Sequence, residues 1–130
     1  MPVNVEWDSP EQRVLRFTAS DPWNWRDLHR TMRVASFRFE ALDHPAELVL
    51  DLRPSQHLPA GALGQIRSLG KAIHAKAPAR LLVIGLEDSV AHTLGGEAGL
   101  YQREGQLIRF VNDDAEAEAV LNAWLGTADS

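Results

Sequence analysis

Hydrophobic and polar residues alternate at the start of the chain, which predicts two short strands. Val3, Val5 and Trp7 are each followed by a polar residue, the period expected of a strand with one buried face. A second strand is predicted over residues 14–19, and the polar residues 8–11 before it are typical of a turn. Two such strands most simply pair as an antiparallel hairpin.

A long amphipathic helix is predicted next. Pro22 suits a first helical position, Ser20 or Asp21 can cap it, and no further Pro or Gly occurs before Asp43. The apolar positions that step by three and four are Trp25, Leu28, Met32, Ala35, Phe39 and Leu42. They form one stripe, so we expect the helix to pack on the core and to end before Pro45.

The middle of the chain predicts a strand, a loop and a helix. Residues 48–52 are apolar except for Asp51, which is typical of a central strand buried on both faces. Residues 53–59 predict a loop. A second helix is predicted from about Ala60 to Ala77, where Pro78 ends it. Its inward positions are predicted to be Leu63, Ile66, Gly70, Ile73 and Ala77.

Two further strands are predicted, at 81–85 and 107–111, with a helix between them over 88–104. Gly95, Gly96 and Gly99 disfavour that helix, because each costs about 1 kcal/mol relative to Ala.

A final helix is predicted after the last strand. Asn112 or Asp113 can cap it, Asp113 and Glu116 have the spacing of a capping box, and residues 126–130 are expected to form a flexible tail.

The predicted element order is β-β-α-β-α-β-α-β-α, which predicts the fold class. Strands that alternate with helices favour a largely parallel sheet covered by helices. We therefore predict a single α/β domain over 1–130, with a mixed, mostly parallel five-stranded sheet and four helices.

Composition narrows the possible functions. The chain of 130 residues has no Cys and a formal net charge of −5. Without Cys there is no disulfide framework, zinc–thiolate site or thiol nucleophile. A mildly acidic protein is a poor nucleic-acid binder, and no signal-peptide or membrane-spanning pattern occurs. We expect a cytoplasmic protein of bacterial type, with no nucleic-acid or membrane partner.

The carboxyl ends of the predicted strands are where an open α/β sheet binds ligands. Asp51 occupies the position of a phosphoacceptor aspartate, but the acidic pair and the Lys that such chemistry needs are missing, so Asp51 is expected to orient the following loop. Residues 95–99 lie inside a predicted helix, where Gly is expected to allow close packing or a helix break and not to contact a ligand.

The His and Ser residues predict no catalytic, metal or cofactor site. Asp88 and His92 share a helical spacing, which is common by chance. Ser55 and Ser89 lie near His57 and His92 in sequence, and such neighbours rarely have the geometry of a catalytic triad. We expect a protein that is not an enzyme.

The outer face of the first helix is unusual for a solvated surface. At about 100° per residue, Val34 falls on the side opposite the apolar stripe. It is accompanied there by Trp23, Arg26, Arg30, Arg33 and Phe37. Aromatic residues with Arg are typical of protein interfaces, so this face is an interface candidate, for example in a homodimer. The alternative is that Arg stems or a loop cover surface aromatics.

The stretch around the third strand resembles the STAS (anti-sigma-factor-antagonist-like) family. Its members typically carry a strand ending in Asp-Leu-Ser and then Asp-Ser-Ser-Gly-Leu at a helix start. The corresponding stretches here are 48–52 (LVLDL) and 58–63 (LPAGAL), and residues 81–85 and 110–113 are similar to the later strands. The resemblance implies a STAS-like fold and a domain that binds partner proteins. Gly61 stands where the family has its phosphorylated serine, so the usual switch is missing.

Together these observations predict a non-catalytic binding module. Its expected contact residues, in the loop and helix start, are Arg53, Ser55, Gln56, His57, Pro59, Ala60 and Gly61, with Asp88 and Ser89 in the next strand-end loop. The alternative is a small-ligand sensor for a nucleotide or lipid, with its pocket at the carboxyl ends of the strands.

Overall fold

The computed structural model describes residues 2–69, 74, 76–77, 79–103 and 105–129, with side chains described through residue 126. The strands are β1 (Val3–Trp7), β2 (Val14–Ala19), β3 (Glu47–Asp51), β4 (Arg80–Ile84), β5 (Leu100–Arg103) and β6 (Gln106–Val111). The helices are α1 (Trp25–Glu40), α2 (Ala62–Leu69), α3 (Asp88–Gly95) and α4 (Asp114–Asp129), with a short 3-10 helix at Gly96–Ala98. The chain forms one α/β domain, as predicted.

The strands form one mixed sheet in the order β1-β2-β3-β4-β6-β5. The four central strands are parallel, and both edge strands are antiparallel to their neighbours. Leu15 lies opposite Leu48, and Leu50 lies opposite Val83. The prediction of an opening hairpin followed by parallel strands is confirmed.

The prediction of five strands is wrong, because β5 makes a sixth. The helix predicted over 88–104 ends at Gly95, and its remainder forms the 3-10 turn and the edge strand; residue 104 lies outside the described residues. A Cβ on Gly95 would come within 2.8 Å of the Leu100 nitrogen, so the chain folds back closely there. Gly99 has a φ of 63°, which favours Gly and ends the turn. The glycines therefore serve the predicted close packing.

The two faces of the sheet carry separate apolar clusters. On one face α1, α2 and α3 cover Leu15, Leu50, Val83 and Ile108. On the other face α4 covers a smaller cluster, consisting of Val14, Val49, Leu82, Ile84, Val111, Ala117 and Leu121. The alternation of side chains along each strand divides the core in this way. As a result, α1 and α4 lie on opposite sides of the sheet.

The first helix begins at Trp25, three residues later than predicted, and its cap is Asn24. The Asn24 side chain accepts a hydrogen bond from the Asp27 N–H at 2.8 Å, and the Asn24 N–H donates to Asp27 Oδ2 at 3.2 Å. This reciprocal pair excludes Ser20 and Asp21 as caps. The whole predicted apolar stripe of α1 is buried, as expected.

The second helix begins at Ala62, because Gly61 has a φ of 87° and cannot be helical. Ile66 is buried as predicted, whereas Leu63 is 39% exposed and does not face the core. The predicted core positions 70 and 73, and the stop at 78, lie outside the described residues.

The last helix starts as predicted: Asp113 Oδ1 accepts a hydrogen bond from the Glu116 N–H at 2.9 Å. The helix extends past Gly126 to Asp129, through the segment expected to be a tail. Across the described residues, no helix is both long enough and apolar enough to cross a membrane.

Candidate functional site at the carboxyl ends of the strands

Asp51, the last residue of β3, is the centre of a charged network. Its side chain is only 9% exposed. Asp51 Oδ1 accepts hydrogen bonds from the backbone N–H and the Nε of Arg53, both at 3.0 Å. Asp51 Oδ2 lies 2.7 Å from Arg53 Nη2 and 3.3 Å from Arg16 Nη1. The prediction that Asp51 orients the following loop is confirmed, because its carboxylate holds both ends of Arg53.

Two further carboxylates extend this network. Arg16 donates to Asp8 through Nε at 2.8 Å and Nη2 at 3.0 Å, and Arg53 Nη2 lies 2.9 Å from Asp114 Oδ1. The contact with Asp114 ties the loop after β3 to the first turn of α4. Each guanidinium is thus shared by two acids.

The network changes the acidity of its members. Burial acts to raise the pKa of Asp51, but hydrogen bonds from the side chain and backbone of Arg53 outweigh it and hold this pKa below its usual value. The hydrogen bond from Arg53 also lowers the pKa of Asp114. Asp51 and Asp114 are therefore ionised at neutral pH, and both oxygens of Asp51 are engaged by arginine donors.

Two tryptophan indoles donate hydrogen bonds to the loop over 53–61. Trp25 Nε1 donates to the carbonyl oxygens of Pro59 at 3.2 Å and Ala60 at 3.0 Å. Trp23 Nε1 donates to Ser55 Oγ at 2.7 Å, and the two indole rings meet edge to face with centroids 4.8 Å apart. The loop is therefore fixed at both ends by buried donors.

Asp21 fixes the middle of the same loop. Its Oδ2 accepts a hydrogen bond from the Gln56 N–H at 2.6 Å, and its Oδ1 lies 3.2 Å from Ser55 Oγ. These hydrogen bonds, with that from Gln56 the strongest, lower the pKa of Asp21. The segment predicted to begin the first helix instead supports the loop.

Trp23 corrects the predicted interface on the first helix. It precedes the helix, is only 7% exposed and packs in the core. Its N–H donates to Ser55 and its ring packs against Trp25. Trp23 is therefore not part of the outer face. The other members, Arg26, Arg30, Arg33 and Phe37, are exposed as predicted.

The predicted contact residues divide into supporting and outward-facing groups. Ser55 and Pro59 are half-buried and hold the loop. Arg53 is exposed but occupied by two carboxylates. The outward-facing residues of the loop are Pro54, Gln56, His57, Ala60 and Gly61.

Asp88 and Ser89 lie exposed in the first turn of α3. Ser89 Oγ donates to Glu87 Oε1 at 2.7 Å, so its hydroxyl has a local partner. Glu87 also lines a cavity of about 200 Å³ between the loop and the end of β4, where Gly85 approaches Arg53 closely. The remaining lining residues are Leu52, Ser55, Gln56 and Leu58. Asp88 does not line this cavity, so the two predicted patches do not share it.

A second cavity of about 340 Å³ lies between α3, the 3-10 turn and the end of β6. Asp88, His92, Glu97 and Glu116 line it, and carboxylates outnumber the single lining guanidinium, that of Arg109. Arg109 Nη1 is hydrogen-bonded to the Ala98 carbonyl oxygen. This mostly acidic lining disfavours the phosphate of a nucleotide, and its polarity disfavours a lipid chain.

The geometry gives Ser55 and Asp51 structural roles. The Ser55 hydroxyl accepts a hydrogen bond from Trp23 and lies 3.0 Å from the backbone carbonyl oxygen of His57, to which it can donate. Both contacts hold the loop. Across the described residues, no group of three His, Cys, Asp or Glu side chains is placed to hold a metal ion. What the arrangement does is present a rigid loop to solvent.

Sequence reasoning missed Asp21, Trp25 and Arg16 as site residues. An apolar stripe identifies Trp25 as a core residue but does not predict which acceptor its indole N–H contacts. An available signal is the sequence Asp-Pro-Trp-Asn-Trp at 21–25, in which two indole donors and an acid stand next to a predicted cap.

Comparisons with known proteins add no family to this picture. No family model matches the chain, and neither the curated proteins nor the solved structures yield a match.

Proposed function

We propose that this chain is a non-catalytic, STAS-like protein-binding module of the cytoplasm. Its contact surface is the outward side of the loop over 53–61 together with the start of α2. The observation that carries this proposal is the fixed loop: Trp23, Trp25 and Asp21 hold it from below, while Gln56, His57 and Ala60 face solvent.

A fixed loop favours binding because little conformational entropy is lost when a partner docks. The polar groups that could otherwise carry chemistry have structural partners. Asp51 is saturated by two guanidinium groups, and Ser55 is held by Trp23. These engagements support a recognition surface over a catalytic centre.

The backbone at Gly61 supports a module without the family's serine switch. Gly61 stands at the position that matches the phosphorylated serine, and its φ of 87° lies in the left-handed region that side chains other than Gly adopt at a cost. A serine there would be strained, so regulation in this chain does not depend on a hydroxyl at position 61.

A photo-crosslinking residue in the full chain tests this surface. It is placed at His57 and, as a matched control, at exposed Arg103 on β5. In an extract of the source cells we expect one protein to be crosslinked from position 57 and not from 103. Excess wild-type protein should compete, whereas a Gln56→Arg/Ala60→Arg variant should not. Equal crosslinking from both positions, or equal competition by the variant, would refute the proposal.

The second candidate, a small-ligand sensor, is favoured by the cavity between the loop and Gly85, which lies where the pocket is expected. Its volume of about 200 Å³ is below the roughly 300 Å³ at which ordinary ligand pockets begin, so a small molecule suits it better than a nucleotide. A melting temperature that no nucleotide, lipid or small metabolite raises would eliminate this candidate.

A further inference from the structure

The exposed side of α1 combines positive charge with apolar surface. We call Arg26, Arg30, Arg33, Val34 and Phe37 the α1 outer face. Val34 is 59% exposed and Phe37 is 73% exposed, and the three Arg side chains are exposed as well. The face is about 16 Å long, because Arg26 and Phe37 are eleven positions apart on the helix.

Among the residues that the structure describes, no acid neutralises the arginines of this face. Asp27 and Glu40 are the only acids in α1. The Asp27 carboxylate accepts from the Asn24 N–H in the cap, and Glu40 Oε1 lies 3.0 Å from His74 Nε2. Within the described ranges, no salt bridge involves any of the three arginines of the face.

Three arginines elsewhere in the chain have carboxylate partners. Arg16, Arg53 and Arg80 are each paired with a carboxylate. Unlike these three, the arginines of the α1 outer face have no carboxylate partner among the described residues, so their charge is available to an external partner. Uncompensated Arg beside an exposed Phe is the composition of an interface centre, in which the aromatic ring is buried and the cations meet opposite charge.

We infer that the α1 outer face docks an acidic, amphipathic helix of a partner protein. The partner's apolar residues would cover Phe37 and Val34, and flanking carboxylates would pair with Arg26, Arg30 and Arg33. A helix of three turns matches the length of the face, and two helices pack by interlocking their surface ridges. This inference does not depend on the loop surface proposed above.

Charge argues against a second copy as the occupant. A symmetric pair through this face would bring Arg30 and Arg33 against the same residues of the other copy, and like charges in contact are unfavourable. The acidic start of α4 on another copy is complementary, but such a head-to-tail contact would build rings or open chains and not a symmetric pair.

The test uses the full-length protein and a displayed library of helical peptides, with counter-selection against an Arg26→Glu/Arg30→Glu/Arg33→Glu variant. We expect enriched peptides to carry an apolar stripe flanked by a surplus of Asp and Glu. A synthetic peptide of the enriched sequence is then measured by fluorescence anisotropy at low and high salt. Arg30→Glu and Phe37→Ser should each weaken its binding about tenfold or more.

Arg103→Glu is the matched control, because it and Arg30→Glu both shift the formal net charge from −5 to −7. The control should bind like the wild type, and His57→Ala should too if the two surfaces are independent. Three results would overturn the inference: no enrichment of acidic peptides, equal binding by Arg30→Glu and Arg103→Glu, or binding insensitive to salt. The inference would also fail if Arg30→Glu left peptide binding unchanged and instead abolished self-association in sedimentation. Loss of binding to anionic vesicles or DNA, with peptide binding unchanged, would contradict it in the same way.

Discussion

Replacing Asp51 by Asn tests whether the buried carboxylate network holds the loop. The amide keeps one oxygen that can accept from the Arg53 N–H and Nε, both now at 3.0 Å. It loses the charge at Oδ2, which lies 2.7 Å from Arg53 Nη2 and 3.3 Å from Arg16 Nη1. Two cations then remain side by side with no central anion.

The expected cost follows from these contacts and their exposure. A hydrogen bond to a charged group contributes about 1.5–3 kcal/mol. Two such bonds set an upper value, which must be reduced because the Arg53 side chain is 37% exposed and water can replace part of what is lost. We expect Asp51→Asn to lower the free energy of unfolding by about 2–3 kcal/mol at pH 7.

Asp114→Asn is the matched control, because it removes another carboxylate from the same Arg53. The Asp114 side chain is 72% exposed, so this variant should unfold at nearly the wild-type urea concentration. Urea titration followed by tryptophan fluorescence measures both. If the two variants were equally stable, burial of the Asp51 carboxylate would not explain its contribution to the unfolding free energy.

The pH dependence gives an independent check. The pKa of Asp51 is lower in the folded protein than its ordinary value of 3.8, so the folded state favours the ionised form. This stability is fully present above the unfolded pKa and is lost as the pH falls through the folded pKa. The difference between wild type and Asp51→Asn should therefore be largest at neutral pH and should shrink below about pH 4. A difference that is constant down to pH 2 would contradict this account.

Four other substitutions have defined outcomes in the same urea assay. Ser55→Ala leaves the buried Trp23 N–H without its partner at 2.7 Å and should lower the unfolding free energy by about 1–2 kcal/mol; an unchanged value would mean that water replaces the hydroxyl. Asn24→Ala removes the cap of α1 and should lower the unfolding free energy by about 1 kcal/mol. The helical circular dichroism signal should then be lost at a lower urea concentration than in the wild type. Gly61→Ala and Gly64→Ala both add a methyl group to open space, but only Gly61 has a positive φ. We expect the first to destabilise by about 1–2 kcal/mol and the second to stabilise by up to about 1 kcal/mol, and equal effects would remove the backbone explanation.

The parallel core of the fold could be predicted because its signals are strong and local. The run from Leu48 to Leu52 is too apolar for an edge, and it is buried throughout β3. The stripe of α1 has an unbroken helical period, and every one of its positions is buried. Where burial on both faces or a long period decides the structure, sequence pattern is sufficient.

The edge strand could not be predicted, because tertiary contacts decide it. Leu100, Gln102 and Arg103 are exposed in β5, so no alternation of buried residues distinguishes them. The strand exists because the chain turns back at Gly95 and Gly99 and pairs with β6. Three glycines in the segment were the available sign of such a turn.

The loop after β3 could be predicted from the sequence, but the contacts that support it could not. The loop after β3 follows from two prolines and a strand end, whereas its supports come from residues more than thirty positions away in sequence, as the hydrogen bonds of Trp23 and Trp25 show. Trp23 was misplaced because helical periodicity was extended past the true cap at Asn24. A cap decides where the period begins, and Ser20, Asp21 and Asn24 all have side chains that can cap a helix.

The placement of α1 and α4 on opposite faces of the sheet separates two oppositely charged surfaces. The arginines of the α1 outer face lie on one side, and Asp113, Glu116 and Glu118 lie near the start of the helix on the other. An approaching partner therefore meets a dipolar field that can orient the protein before contact. Because the Debye length is about 8 Å at physiological ionic strength, the field can orient a partner only when the two surfaces are within about that distance. The net charge of −5 would then be a poor guide to encounter rates, which should depend on which side of the sheet the partner reaches first.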